Sequence, residues 1–330
     1  MLRVGVIGLG KMGQRHVAAW RNIAGTKLVG IVGRNESKIQ MQAEHLETNP
    51  YTDIAQLLKE QEVDVIDICL PTFLHYETIK AVADIDENIA IICEKPVCLT
   101  EQEANSILQL IKNRGVKIFV GHTLRFDPEY TALHEQIKQG AAGEIGVVRM
   151  ERKTAAPGGW FKDKDKSGGI VMDLGIHDLD WLLWTFGSCE RVMAREIKQS
   201  EEAEIQHALI TLRMKNGVIA HLELSWGADQ LQSSAEIAGK EGLLVTDSRE
   251  NNPIRIHTRE KSESTSYLSD DNIGETPVMT QLKHFKQCIL HDEKPEITIE
   301  EAIQAVKLAR AAIYSSQQEN VVFVEEEELV

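Results

Sequence analysis

A short apolar run that breaks into three spaced glycines stands at the head of this chain and narrows its possible folds more than any other feature. Leu2 to Leu9 reads LRVGVIGL and opens into Gly8-Leu9-Gly10-Lys11-Met12-Gly13, after which Gln14 to Trp20 can continue as helix. Strand, glycine turn and helix start, in that order, are the context in which G-x-G-x-x-G holds a dinucleotide. Gly8 allows the tight turn, Gly10 lets backbone approach a pyrophosphate, and Gly13 lets the helix pack close to the strand. The N–H groups and dipole at the helix start favour the phosphate charge. Glycines at this spacing also mark ordinary turns; the apolar strand before them is what points to a cofactor.

The same alternation runs on for about 120 residues. Lys27 to Val32 (KLVGIV) reads as a second strand, Ser37 to Leu46 as a polar helix and Ile54 to Gln61 as a short helix. Val63 to Leu70 (VDVIDICL) is a buried strand ending at Pro71, followed by a helix from His75 to Asp84 and a strand from Ile89 to Cys93. Thr100 to Arg114 is an amphipathic helix with Thr100 and Glu103 as a capping box, and Val116 to Val120 closes the series at Gly121. Strands alternating with helices predict an α/β fold, a Rossmann-type doubly wound parallel sheet over residues 1–122.

The pattern then changes. Pro128 to Lys138 and Asp173 to Phe186 read as helices, separated by a strand from Gly146 to Lys153 and a loop from Ala156 to Gly169. Ala208 to Met214 and Val218 to Trp226 alternate apolar and polar residues across Lys215-Asn216-Gly217, a hairpin signal. Val218, Ala220, Leu222, Leu224 and Trp226 share one face; Ile219, His221, Glu223 and Ser225 share the other, which fits a wet interface or a solvated sheet face equally. Ser234 to Ala238, Leu243 to Thr246 and Ile254 to His257 add strands, Val278 to Leu290 and Ile299 to Ser316 are the last helices, and Asn320 to Val324 is a final strand. Residues 123–330 are therefore expected to form an α+β domain with a mainly antiparallel open sheet, its last helix free to pack back on the first domain.

A formal charge of −15 disfavours nucleic acid and acidic membrane surfaces as partners. The five cysteines (Cys69, Cys93, Cys98, Cys189 and Cys288) are odd in number and lack a CxxC pair, which suits reduced thiols in a cytoplasm better than disulfides or zinc. No stretch approaches the ~18 apolar residues of a membrane span, and the start lacks the form of a signal peptide.

Ligands of an open parallel sheet bind beyond the carboxyl ends of its strands. Gly8 to Gly13, Gly33-Arg34, Leu70-Pro71-Thr72, Glu94-Lys95-Pro96 and Gly121-His122 all meet that rule and should converge. Where a carboxylate for the ribose 2′-hydroxyl of NAD is usual, Gly33 and Arg34 stand, so the residues lean to NADP(H); a solvated turn arginine is the plainer alternative. Lys95 follows an apolar strand, and spacing alone leaves a half-buried functional lysine and a surface lysine both open. Asp173 and His177, four apart, share a helix face, and a carboxylate beside a histidine can orient it for proton transfer. A capping aspartate and a satisfied helix histidine account for the same pair, and the spacing HDLD offers no third metal ligand. No metal is expected.

Taken together, VGVIGLGKMGQRHV, CLPTFLHYETIKAV, CEKPVCLTEQEA and GGIVMDLGIHDLDWLLW resemble the Gfo/Idh/MocA oxidoreductases, and QLKHFKQCIL and EITIEEAIQAVKLARAA extend the likeness to the end of the chain. The resemblance implies a dehydrogenase or reductase acting on CH–OH groups with NAD(P)(H), and a sugar, polyol or cyclitol substrate. It implies a homodimer or homotetramer formed through the second domain's sheet. It assigns catalysis to Lys95, Asp173 and His177, and cofactor contacts to Gly8, Gly10, Lys11, Met12, Arg34, Leu70, Pro71, His75, Glu94 and Lys95. Substrate would meet Lys95, Arg125, Trp160, Asp173 and His177, with the 156–169 loop either a lid or a surface loop. Sugar and inositol dehydrogenases of the family often carry two adjacent arginines where this chain has Leu124-Arg125. Substrate specificity therefore does not carry over with the motifs. Within enzymes the rival expectation is a nicotinamide-dependent glycosidase acting by transient oxidation; outside them it is a cofactor-sensing protein without catalysis.

Overall fold

A computed structural model describes residues 1–198, 206–250, 255–258, 261–266 and 275–324. The chain divides into two compact units, Met1–Thr123 with Gly274–Ile303, and Leu124–Ile273 with Gln304–Val330.

The first unit opens with β1 (Leu2–Ile7), α1 (Lys11–Asn22), β2 (Thr26–Val32), α2 (Glu36–Leu46), β3 (Pro50–Tyr51) and α3 (Ile54–Glu60). It continues with β4 (Val65–Ile68), α4 (His75–Ile85), β5 (Ala90–Glu94), α5 (Glu101–Arg114) and β6 (Ile118–Gly121). The six strands pair in parallel in the order β3-β2-β1-β4-β5-β6. Strand order reverses between β1 and β4, the switch point at which such sheets open a crevice. Strands covered on both faces carry near-continuous apolar runs, and Val4, Val6, Ile31, Ile66, Ile68, Ile91 and Ile92 are fully buried. Helix ends follow local chemistry: Asn35 caps α2 by accepting Lys38 N–H at 2.9 Å, and Thr100 and Glu103 form the capping box of α5.

The second unit holds α6 (Pro128–Lys138), β7 (Ile145–Ala155), α7 (Lys164–Ser167), α8 (Ile176–Phe186), β8 (Cys189–Lys198), β9 (Gln206–Met214), β10 (Ile219–Ser225) and β11 (Gly227–Gly239). β12 (Gly242–Asp247), β13 (Arg255–Thr258) and β14 (Lys261–Ser266) follow. The chain then enters the first unit as α9 (Pro277–His291) and returns along α10 (Ile299–Gln318) to β15 (Val322–Phe323). Nine strands form one sheet, β14-β13-β12-β11-β7-β10-β9-β8-β15, antiparallel except for β10 beside β7. Ile254 of the predicted 254–257 strand lies outside the described residues.

The Asn-Gly hairpin forms as its alternation dictates. Gly217 takes φ +97°, and Asn216 Oδ1 accepts Val218 N–H at 3.1 Å. Val218, Ala220, Leu222, Leu224 and Trp226 are buried, with His221 and Glu223 exposed opposite. Ser225 departs from the alternation: it is buried, and its Oγ accepts Gly227 N–H at 3.0 Å where the chain bends into β11.

The return of α9 to the first unit has a packing reason. Phe285 is fully buried and tilts against Phe119 of β6, ring centroids 5.3 Å apart, while α9 also lies along α1. Among the described residues no helix is long and apolar enough to cross a membrane.

Candidate active site

The carboxyl edge of the parallel sheet gathers the first set of predicted residues. Gly8 takes φ +89°, and a Cβ there would lie 2.7 Å from the Cys69 carbonyl oxygen. A Cβ on Gly13 would stand 1.8 Å from the Gly8 carbonyl oxygen, so α1 approaches the turn as closely as backbone permits. Gly10 differs: a Cβ there meets nothing within 4 Å, so no contact inside the protein demands glycine. Gly10 is the N-cap of α1, no side chain caps it, and the first turn of the helix holds no acidic residue. An uncapped helix start lined by glycine is the cradle a pyrophosphate requires, and the chain fits the group. Lys11 and Met12 begin the helix, and Arg34 stands exposed after Gly33 at the end of β2.

Leu70, Pro71, His75, Glu94 and Lys95 lie at the neighbouring ends of β4 and β5. Leu70, Pro71 and Lys95 are partly exposed; His75 and Glu94 are buried. The last two direct their polar atoms into the protein. His75 Nδ1 lies 2.8 Å from the Pro96 carbonyl oxygen and Nε2 2.8 Å from that of Leu70, so the ring sits between the two strand ends and, when neutral, donates to one of them. Burial pushes its pKa down, against the pull of both carbonyls.

Glu94 belongs to a buried polar cluster. His16 Nε2 stands 2.9 Å from Glu94 Oε1 and Nδ1 2.9 Å from Asp67 Oδ2, while Trp20 Nε1 donates to Asp67 Oδ2 at 2.7 Å. Burial opposes a charge on His16, but the Asp67 carboxylate and its bond to the ring work against it, and the pKa stands well above the usual histidine range. Burial likewise opposes the Glu94 carboxylate, but the bond from His16 together with the positive charges of His16 and Lys95 outweighs it, leaving the group below its ordinary value. The Cys69 thiol, pushed up to about 12 chiefly by burial, stays protonated and donates to Asp67 Oδ1 at 3.6 Å. His16, Asp67 and Cys69 come close enough to share a cation, but their lone pairs and protons already serve one another. A metal would have to break those bonds.

His16 was not singled out from sequence, although the signal was available. Gly13, His16, Val17 and Trp20 fall at i, i+3, i+4 and i+7, the period of a buried helix face, and all four are buried.

The second unit holds the other predicted residues. Val171–Gly175 form a π-helical turn that runs into α8. From Gly169 to Leu182 every residue is buried except Asp173 and His177. Such turns insert an extra residue into a helix and often mark functional positions. α8 is anchored by two buried ion pairs: Asp178 with Arg152 (2.7 and 2.8 Å) and Asp180 with Arg125 (3.0 and 2.7 Å). Arg125 is thus 3 % exposed, its fork engaged by Asp180 and its guanidinium 5.6 Å from the Trp184 ring. Trp160, partly exposed, stacks on Phe161 at 3.9 Å in the 156–169 segment, which forms a 3₁₀ turn (Gly159–Lys162) and the four residues of α7.

A glycine cradle suited to a dinucleotide pyrophosphate in the first unit and a nine-stranded sheet in the second define a two-unit dinucleotide-binding protein. Residues 2–122 match the family described as "Oxidoreductase family, NAD-binding Rossmann fold", and residues 130–245 match the GFO/IDH/MocA C-terminal domain. The chain belongs to the GFO/IDH/MocA family of oxidoreductases. It is 27 % identical to the myo-inositol 2-dehydrogenase of Thermotoga maritima over 98 % of this chain and 99 % of that one. It is 25 % identical to the D-apiose dehydrogenase of Paraburkholderia graminis, covering 95 % and 87 % respectively. The structure of a levoglucosan dehydrogenase in complex with NADH and L-sorbose shares the fold, with TM-score 0.87, 20 % identity and 99 % of both chains covered.

Proposed function

We propose that this enzyme transfers a hydride reversibly between a nicotinamide and a carbon bearing a secondary alcohol of a sugar or cyclitol. The observation that carries the reading is the exposure pattern of the Gly169–Leu182 stretch, where Asp173 and His177 alone reach solvent from an otherwise buried segment. The relatives named for inositol and apiose support a polyol-like substrate.

When bound, the nicotinamide supplies the hydride acceptor or donor, and the protein supplies orientation and proton movement. His177 takes the hydroxyl proton in oxidation and returns it in reduction. Lys95 stabilises the alkoxide charge that develops on the reacting oxygen. Asp173 orients this pair and hydrogen-bonds substrate, and Trp160 contributes an apolar wall. Gly8, Gly10, Lys11, Met12, Leu70 and Pro71 hold the cofactor, with His75 and Glu94 shaping the strand ends from behind. Arg125 acts through Asp180, fixing α8. The uncompensated Arg34 after Gly33 favours NADP(H), because no carboxylate there repels a 2′-phosphate. Met193, Ile197, Leu209 and Phe323, exposed on one face of the nine-stranded sheet, support a homo-oligomer, and five buried free thiols suit a cytoplasmic protein.

The test is a screen of sugars and cyclitols followed by absorbance of the reduced nicotinamide, with NAD and NADP in parallel. Turnover with at least one substrate, abolished in Lys95→Ala while cofactor binding persists, is the expected result. Full turnover by Lys95→Ala overturns the assignment; hydrolysis of a glycoside without net cofactor reduction would point to the glycosidase chemistry instead.

A further inference from the structure

Lys95 stands between two residues that buried histidines hold in place. Before it, the Glu94 carboxylate is bonded by His16, and His16 is bonded in turn by Asp67. After it, the Pro96 carbonyl oxygen stands 2.8 Å from His75 Nδ1. His16 and Asp67 are 0 % exposed and Glu94 6 %, so three ionisable groups are withdrawn from water on one side of a single lysine.

Stability alone does not call for such a cluster. Burying a charged triad offers little over an apolar core of the same volume, and its better-attested use is to fix one geometry among several. Here the geometry fixed is that of a strand end. Asp67 lies in β4, His16 in α1 and Glu94 is the last residue of β5, so the chain of bonds joins three elements and ends on the residue that precedes Lys95. Glu94 is the last residue of β5 and Lys95 the first of the bend that follows, so a carboxylate locked inward at Glu94 fixes the strand end from which Lys95, partly exposed, departs. Trp20 prevents the lock from slipping, because its indole N–H occupies the Asp67 oxygen nearest to His16.

We propose that His16 is a positioning residue for the reaction, acting through Glu94 to set the direction in which Lys95 leaves β5. The proposal rests on the reading of Lys95 as the group that meets the reacting oxygen, and it extends that reading to a residue of the first helix that meets neither substrate nor reacting atoms.

The experiment compares His16→Gln, Glu94→Gln and the double variant with wild type in two ways. The first measures how fast a small acylating reagent labels the Lys95 amine, read by mass spectrometry, with the half-exposed Lys80 and Lys117 as internal standards. It needs no substrate. The second measures kcat and cofactor KM on any substrate found. Labelling of Lys95 is expected to change in all three variants while Lys80 and Lys117 keep their rates. The value of kcat should fall by about a hundredfold, the scale of a misplaced catalytic group, and by more than cofactor KM rises. The double variant should lose no more than either single one, because both break one chain of bonds. Lys95 labelling identical to wild type in His16→Gln overturns the proposal. Should that variant fail to fold, the same result in Glu94→Gln overturns it. Full turnover by Lys95→Ala would instead refute the role of Lys95 in the reaction and leave the labelling result to judge His16 separately.

Discussion

Asp180→Ala removes one partner from an ion pair in which both side chains are 1 % exposed. The remaining guanidinium of Arg125 loses two bonds, at 3.0 and 2.7 Å, in a site closed to water. Breaking a buried pair from one side costs about 3–5 kcal/mol. In a domain of about 150–250 residues each kcal/mol moves the melting temperature by roughly 2–4 °C, so a fall of roughly 6–20 °C is expected. Replacing both partners, as in Arg125→Leu with Asp180→Leu, leaves no stranded charge and should restore most of the loss. Thermal unfolding followed by circular dichroism separates the three proteins. Asp180→Ala melting within about 2 °C of wild type would refute the claim that the pair is closed to water. The double variant also reports on function. If Arg125 serves only to hold α8, the refolded pair-less enzyme keeps its substrate KM; a large rise in KM would return Arg125 to the substrate.

Further outcomes follow from the first unit. His16 is held protonated above its ordinary value of 6.5, so its contribution to stability is complete below that pH and is lost as pH rises through the folded-state value. Denaturation midpoints measured upward from pH 6.5 should therefore fall more steeply in wild type than in His16→Gln; parallel curves would refute the charged state of the ring. Gly13→Ala sets a methyl group against the Gly8 carbonyl oxygen, forcing α1 off the turn, and should abolish nucleotide binding measured by fluorescence titration even where the variant folds. Arg34→Ala should raise KM for NADP and leave KM for NAD near wild type; equal effects on both would show that the guanidinium does not meet a 2′-phosphate.

Sequence periodicity carried the main elements because each has a local cause. The glycine turn, the capping box at Thr100 and the hairpin at Asn216-Gly217 are decided by residues within a few positions of one another. β3 escaped because Pro50–Tyr51 is too short to show a period. The π turn escaped because Asp173 and His177 have the same i, i+4 spacing in an ordinary helix. The engagement of Arg125 was invisible for a different reason: its partner lies 55 residues away, and no local rule tells a paired buried arginine from a ligand-binding one. The same holds for Asp67, whose neighbours in VDVIDICL announce a buried strand but not the helix histidine that neutralises it.

The seating of α9 against β6 and α1 bears on how the protein is made. A ribosome releases the six strands of the parallel sheet within the first 121 residues, yet the aromatic that covers Phe119 is Phe285. The nucleotide-binding unit is therefore begun first and completed only after most of the second unit has been made. Until the chain has grown past His291, an emerging polypeptide exposes the faces of β6 and α1 that α9 will cover, a surface suited to chaperone capture. A gene fragment ending at the close of β6 would encode every glycine of the cradle and still yield a sticky, incomplete product.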